Sequence, residues 1–170
     1  MSYPELIHTY RTELQRYTPE QLSCIPAPGV WSLCQLYDHL ILTTLEYLHQ
    51  VEQCTLAAEE QPTGKSEAGE QLFGLGEFPP VKIRLPEGPS NTPCNTHSKE
   101  DLERGLDDVL QSMSAWEKRI GAIPHNRKVK HGGFGWLNAG EWFELAGMHF
   151  RHHLRQLREI EGMLGIHAEG

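Results

Sequence analysis

The chain has 170 residues, with 38% hydrophobic and 22% charged positions; that suits one globular domain with its own core and excludes a disordered chain. A formal net charge of -8 argues against nucleic acid or an anionic membrane as the main partner, because both require clustered Lys and Arg. The nearest cluster of basic residues, Arg127, Lys128 and Lys130, is too small a patch to overturn this.

Helical periodicity first appears over residues 4–17, where Leu6, Ile7, Tyr10, Leu14 and Tyr17 recur at helical spacing and Pro4 suits a first turn. Residues 18–31 hold Pro19, Pro26, Pro28 and Gly29 and read at least partly as a loop. A second helix begins after Ser32, a good N-cap, and runs through Leu36, Leu40, Thr44, Leu48 and Val51 toward Glu59. It is apolar over more than one face, as expected of a bundle helix that touches two neighbours.

Residues 61–97 carry repeated Pro and Gly, which excludes a continuous helix. The alternation of Val81, Ile83 and Leu85 with Lys82 and Arg84 would suit one short strand without a visible partner, so the segment reads as an ordered crossover. Ser98, with Asp101 three residues on, opens a third helix. Its stripe is Leu102, Leu106, Val109, Leu110, Met113, Trp116 and Ile120, closed by Gly121. Residues 123–137 form a glycine-rich loop. Asn138 with Glu141 then caps a fourth helix that runs to Leu164, before Gly165. The expected fold is all-α: a four-helix bundle in one domain over residues 1–170, with a long crossover between the second and third helices and little or no sheet.

No apolar run reaches membrane-spanning length, and the first residues lack the features of a signal peptide. Cys24, Cys34, Cys54 and Cys94 form no CxxC pair and read as free thiols. The expected compartment is the cytoplasm.

The chemistry lies among the ten histidines. At about 100° per residue, His149, His153 and Gln156 fall inside the apolar face formed by Trp142, Leu145, Ala146, Leu157, Ile160 and Leu164, with His152 nearer its rim. Two inward imidazoles at i and i+4 can reach one metal ion, and their burial is costly unless each finds a partner. Carboxylates or backbone carbonyls would satisfy them equally well. A metal needs a third ligand, and His39 is the best candidate. It lies away from the mean direction of Leu36, Leu40 and Thr44, so the helical wheel leaves its direction open.

Trp31-Ser32, Tyr37-Asp38-His39-Leu40, Phe134-Gly135-Trp136-Leu137-Asn138, Glu141-Trp142 and the run from His149 to Gln156 resemble the DinB/YfiT-like superfamily, in particular its small bacterial DinB-like domains. The resemblance spans almost the whole chain and is least diagnostic over residues 61–96. It implies a four-helix bundle with a long crossover and a three-histidine site made of His39, His149 and His153. Nickel, zinc or manganese, frequent homodimers, and thiol-dependent transferases and isomerases that use low-molecular-weight thiols are further features it implies.

Three imidazoles leave open coordination positions on an ion, the mark of a catalytic or ligand-binding site. Such an ion can activate water, giving a hydrolase, or hold a thiol as thiolate, giving an S-transferase. The expected cofactors are zinc or nickel and a low-molecular-weight thiol, and the expected partners are a small-molecule substrate and a second copy of the chain. Leu42 and Leu45, off the main stripe of the second helix, suggest the latter. Gln156, His131 and Trp136 are candidate substrate-binding residues. Asp38, Glu46, Glu141 and Glu144 are candidate orienting carboxylates, although most carboxylates on bundle helices are simply solvated. Trp31 is expected to plug the core or wall a pocket. His8, His49, His97, His125 and His167 read as surface residues. The alternative from another class is a non-catalytic helical-bundle interaction protein whose histidines are vestigial.

Overall fold

A computed structural model describes residues 1–79 and 92–167. The expected strand of Val81, Ile83 and Leu85 lies outside the described residues. The protein is mostly helical, with one small two-stranded sheet. Its elements are α1 (Tyr3–Arg16), α2 (Pro19–Ser23), α3 (Leu33–Leu56), α4 (Glu67–Leu75), α5 (Lys99–Glu117), a 3-10 turn (Ile120–Ala122), β1 (Lys128–His131), β2 (Gly135–Asn138) and α6 (Ala139–Met163).

The long helices start where their caps require. Ser32 Oγ accepts the Gln35 N–H at 3.1 Å, and Gln35 Oε1 accepts the Ser32 N–H at 3.1 Å. Ser98 with Asp101 repeats this reciprocal box at α5, and Asn138 with Glu141 repeats it at α6, at 2.9 and 3.0 Å. Each pair satisfies two backbone donors that the first turn leaves without partners, and a good N-cap contributes about 1 kcal/mol.

Helix α3 is central. It contacts α6 and α5, while α1 contacts α5 and α6. Leu33, Leu36, Tyr37, Leu40, Thr44, Leu48 and Val51 are all buried, which explains why its apolar residues wrap around more than one face. Three buried tyrosines tie these helices together. Tyr10 Oη donates to the Phe150 carbonyl at 2.7 Å, Tyr37 Oη to the Tyr10 carbonyl at 2.6 Å, and Tyr17 Oη to Glu161 Oε2 at 2.8 Å. Polar groups buried with partners make the packing specific without a desolvation penalty. These bonds fix α6 against α1 and α3, and so fix the height of the histidines on α6 relative to α3.

Four short elements add to the sequence expectation. Residues 123–137 are not a plain loop: β1 and β2 pair antiparallel, with Val129 opposite Leu137 and His131 opposite Gly135. Helices α2 and α4 lie in the two proline- and glycine-rich connections. Both are short and begin at a capping residue, Thr18 for α2 and Ser66 for α4; Pro19 occupies the first turn of α2, and α4 accommodates Gly69 and Gly74 before it ends at Gly76. Helix α4 is held by the hairpin. Ser66 N–H donates to the Phe134 carbonyl at 2.9 Å, and Trp136 N–H donates to the Gly64 carbonyl at 3.1 Å. Gly135 makes this possible. Its φ is +82°, and a Cβ there would lie 2.4 Å from Ser66 N.

Candidate metal centre

His39 comes from α3 and His149 and His153 come from α6, the two long helices pressed together at the centre of the molecule. The Nε2 atoms of His39 and His153 lie 3.1 and 3.0 Å from His149 Nε2. Ring centroids in the trio are 4.5–5.0 Å apart, and His149 is only 6% exposed. A potential ligand atom from each residue lies within 4.8 Å of the other two, and among the described residues these three form the only such group.

This arrangement is hard to satisfy with hydrogen bonds alone. An imidazole Nε2 has either one lone pair or one proton, yet two nitrogens approach His149 Nε2 at hydrogen-bond distance. An ion resolves the conflict by accepting all three lone pairs. Two nitrogens each about 2.1 Å from an ion stand about 3.0 Å apart at a right angle and about 3.4 Å apart at the tetrahedral angle. The observed separations fit such a donor set, and three neutral nitrogens suit zinc or nickel rather than calcium.

Electrostatics prepares the site in the same sense. Burial, and for His39 the neighbouring His153, pushes the His39 pKa from an ordinary 6.5 down to about 4. Burial brings His153 to about 4 as well, against a contrary pull from Gln156. Burial and the other histidines hold His149 well below its ordinary value. At neutral pH all three are uncharged and present lone pairs.

The second nitrogen of each ring is treated differently. His153 Nδ1 lies 2.8 Å from Gln156 Oε1. The amide oxygen can only accept, so the proton sits on Nδ1 and Nε2 is left free. His39 Nδ1 has Thr43 Oγ1 at 3.4 Å. His149 Nδ1 is buried with no hydrogen-bond partner among the described residues.

None of the candidate carboxylates takes the orienting role. Glu141 pairs with Lys65 and caps α6, Glu46 accepts from Gln50, and Glu144 is exposed. Asp38 turns away from the trio: its Oδ1 lies 2.9 Å from His97 Nε2 and its Oδ2 accepts the Cys94 N–H at 2.9 Å. His97 is therefore no plain surface residue. It helps Asp38 pin the residues just before α5, around Cys94 and His97, onto α3. His8, His49, His125 and His167 are exposed, as expected.

The hairpin separates His131 from Trp136. Alternation along the strands puts His131 on the face of Val129 and the buried Leu137, and Trp136 on the opposite face with Lys130. His131 Nδ1 accepts the N–H groups of Gly133 and Phe134 at 2.9 and 3.1 Å, and its ring stacks on Phe134 at 4.5 Å. Phe134 in turn lies 6.1 Å from Phe78, whose ring is 6.3 Å from His149. His131 thus stands behind two aromatic rings from the trio. Trp31 lies directly on His39, at 4.9 Å between ring centroids.

Sequence reasoning had no means of finding Phe78, which reaches the site from beyond α4 through tertiary packing alone. Thr43 was within reach, being one helical turn after His39. No curated protein and no solved structure matches the chain in comparison. A family model described as the DinB superfamily matches residues 5–157. That span covers most of the chain and takes in all three converging histidines, so the chain belongs to the DinB superfamily.

Proposed function

We propose that the protein is a divalent-metal-dependent enzyme with thiol S-transferase chemistry on a small molecule, its ion held by His39, His149 and His153. The observation that carries this is the convergence of two imidazole nitrogens on the buried His149 Nε2 at 3.0 and 3.1 Å. In this reading residues 1–170 form one four-helix bundle of α1, α3, α5 and α6, with a long crossover between α3 and α5. The bundle works in the cytoplasm as a homodimer, and the bound ion is zinc or nickel.

When bound, the ion would act as a Lewis acid that favours the thiolate form of a low-molecular-weight thiol. The chain's own residues do the rest. Gln156 holds the proton on His153 Nδ1 and aims its Nε2 at the ion. Thr43 stands at the outer nitrogen of His39. Burial keeps the three rings uncharged, and Trp31 against His39 restricts water on that side. Gln156 can also meet a substrate at the rim, with His131 as outer lining behind Phe134 and Phe78.

Hydrolysis is the less favoured chemistry, because it gains from a carboxylate positioned to move a proton. Among the described residues, no Asp or Glu hydrogen-bonds to the trio. Turnover of a thiol with an electrophile tests the proposal against a non-catalytic bundle. Activity should require added zinc or nickel and fall at least about 100-fold in His149→Ala, the scale for loss of a group that stabilises the reacting centre. Activity that survives metal removal would overturn it.

A further inference from the structure

The rings around the histidine trio are aromatic and partly exposed. Trp31 lies 4.9 Å from His39, Tyr47 5.8 Å from His149, and Phe78 6.3 Å from His149 and 5.3 Å from His152. Trp31, Tyr47, Phe78 and His152 are all intermediate in burial, as are His39 and His153. The trio therefore reaches the surface through a rim of π faces. Large apolar side chains left half-open around a polar centre mark a ligand-binding surface rather than a finished core.

The described rim is built from rings and neutral imidazoles. Among the described residues, no Lys or Arg hydrogen-bonds to the trio or stacks on these rings. Lys65 pairs with Glu141, Arg155 with Glu159, and Arg158 with Glu13 and Glu161. A carboxylate or phosphate on the ligand would enter this rim without a cation to replace its water. An uncharged ring would meet edge-to-face or offset partners.

We infer that the site selects an uncharged aromatic ligand, held between Phe78, beside His149 and His152, and Trp31, beside His39. This rests on the three histidines holding an ion, and it adds the substrate class that the ion alone does not specify. Phe78 is then a specificity-determining residue. It contributes nothing to the donor set and presents its ring to the ligand beside His149 and His152.

Cobalt-loaded protein tests this by absorption. Phenylmethanethiol, 2-methylpropane-1-thiol and 3-mercaptopropionate are titrated separately, and the thiolate-to-cobalt band in the near ultraviolet is followed. The aromatic thiol should bind roughly three- to tenfold tighter than the uncharged aliphatic one, the scale of a favourable ring–ring contact. The anionic thiol should bind weakest. Phe78→Leu and Phe78→Ala should both remove the aromatic advantage while one cobalt per chain is retained, and Phe78→Leu keeps an apolar side chain in place should the alanine variant unfold. Equal affinities, or tightest binding of the anionic thiol, with cobalt bound would overturn the inference and leave the metal reading standing. Protein that takes up no cobalt would overturn the metal reading, and this inference with it.

Discussion

His149 is buried, uncharged and left with one nitrogen unpartnered. A polar atom in that state costs about 1–3 kcal/mol, a local penalty at Nδ1 that an ion bound at Nε2 would leave in place. The titration of the trio has a consequence for stability. In the unfolded chain the histidines titrate near 6.5, and in the fold His39 and His153 titrate near 4, with His149 well below its ordinary value. Between those values the unfolded chain binds more protons, so stability rises with pH. Metal-free protein should lose stability as pH falls from about 6.5 toward 4, and these groups should add no slope above that window. Urea midpoints at pH 7.5, 6, 5 and 4 check this, and midpoints that stay level for wild type across the range would contradict it. At this scale the sequence was informative about His149, His153 and Gln156, because helical spacing alone places them on one face. It was uninformative about His39. Helix α3 is buried on several sides, and a wheel cannot choose among neighbours when most directions are inward.

The elements divide by how local their causes are. Caps at Ser32, Ser98 and Asn138 are set by residues three apart, and all three long helices begin where those residues stand. The β-hairpin was not legible, because its strands are four residues each and too short to show alternation above a glycine-rich background. What holds it in place is contact with the segment leading into α4, through Ser66, Gly64 and the close approach at Gly135. Gly135→Ala should therefore destabilise the protein by at least about 1 kcal/mol, since a left-handed backbone alone costs an alanine about 1–2 kcal/mol. Gly132→Ala, in the same turn region with open space around it, should be close to neutral. Denaturant unfolding of both variants is the check, and equal midpoints would show that the Gly135 approach is unimportant. Helix α4 carries the chain toward Phe78, so Gly135→Ala should also weaken the proposed selectivity at the histidine site.

At the scale of the whole molecule, the expectation of a mostly helical chain was met because four amphipathic stretches are long enough to announce themselves. How the helices cross was not legible: it depends on Tyr10, Tyr17 and Tyr37 reaching partners on other helices, and hydroxyl partners leave no periodic trace. No described helix is long and apolar enough to cross a membrane. Leu42 is 58% exposed on α3 and Leu56 is 66% exposed at its end, apolar surface that a second copy would cover. Sedimentation at tens of micromolar, on the order of typical weak interface affinities, should show a homodimer, and Leu42→Glu should shift it toward monomer. A wild-type monomer at that concentration would remove the assembly proposal while leaving the histidine site untouched. The site itself is tested most directly by metal content. Protein dialysed against zinc or nickel at neutral pH, then freed of unbound ion, should retain one ion per chain, and His149→Ala should retain none. Wild-type protein that keeps no stoichiometric metal, or a His149→Ala variant that keeps as much as wild type, would contradict a single ion shared by His39, His149 and His153.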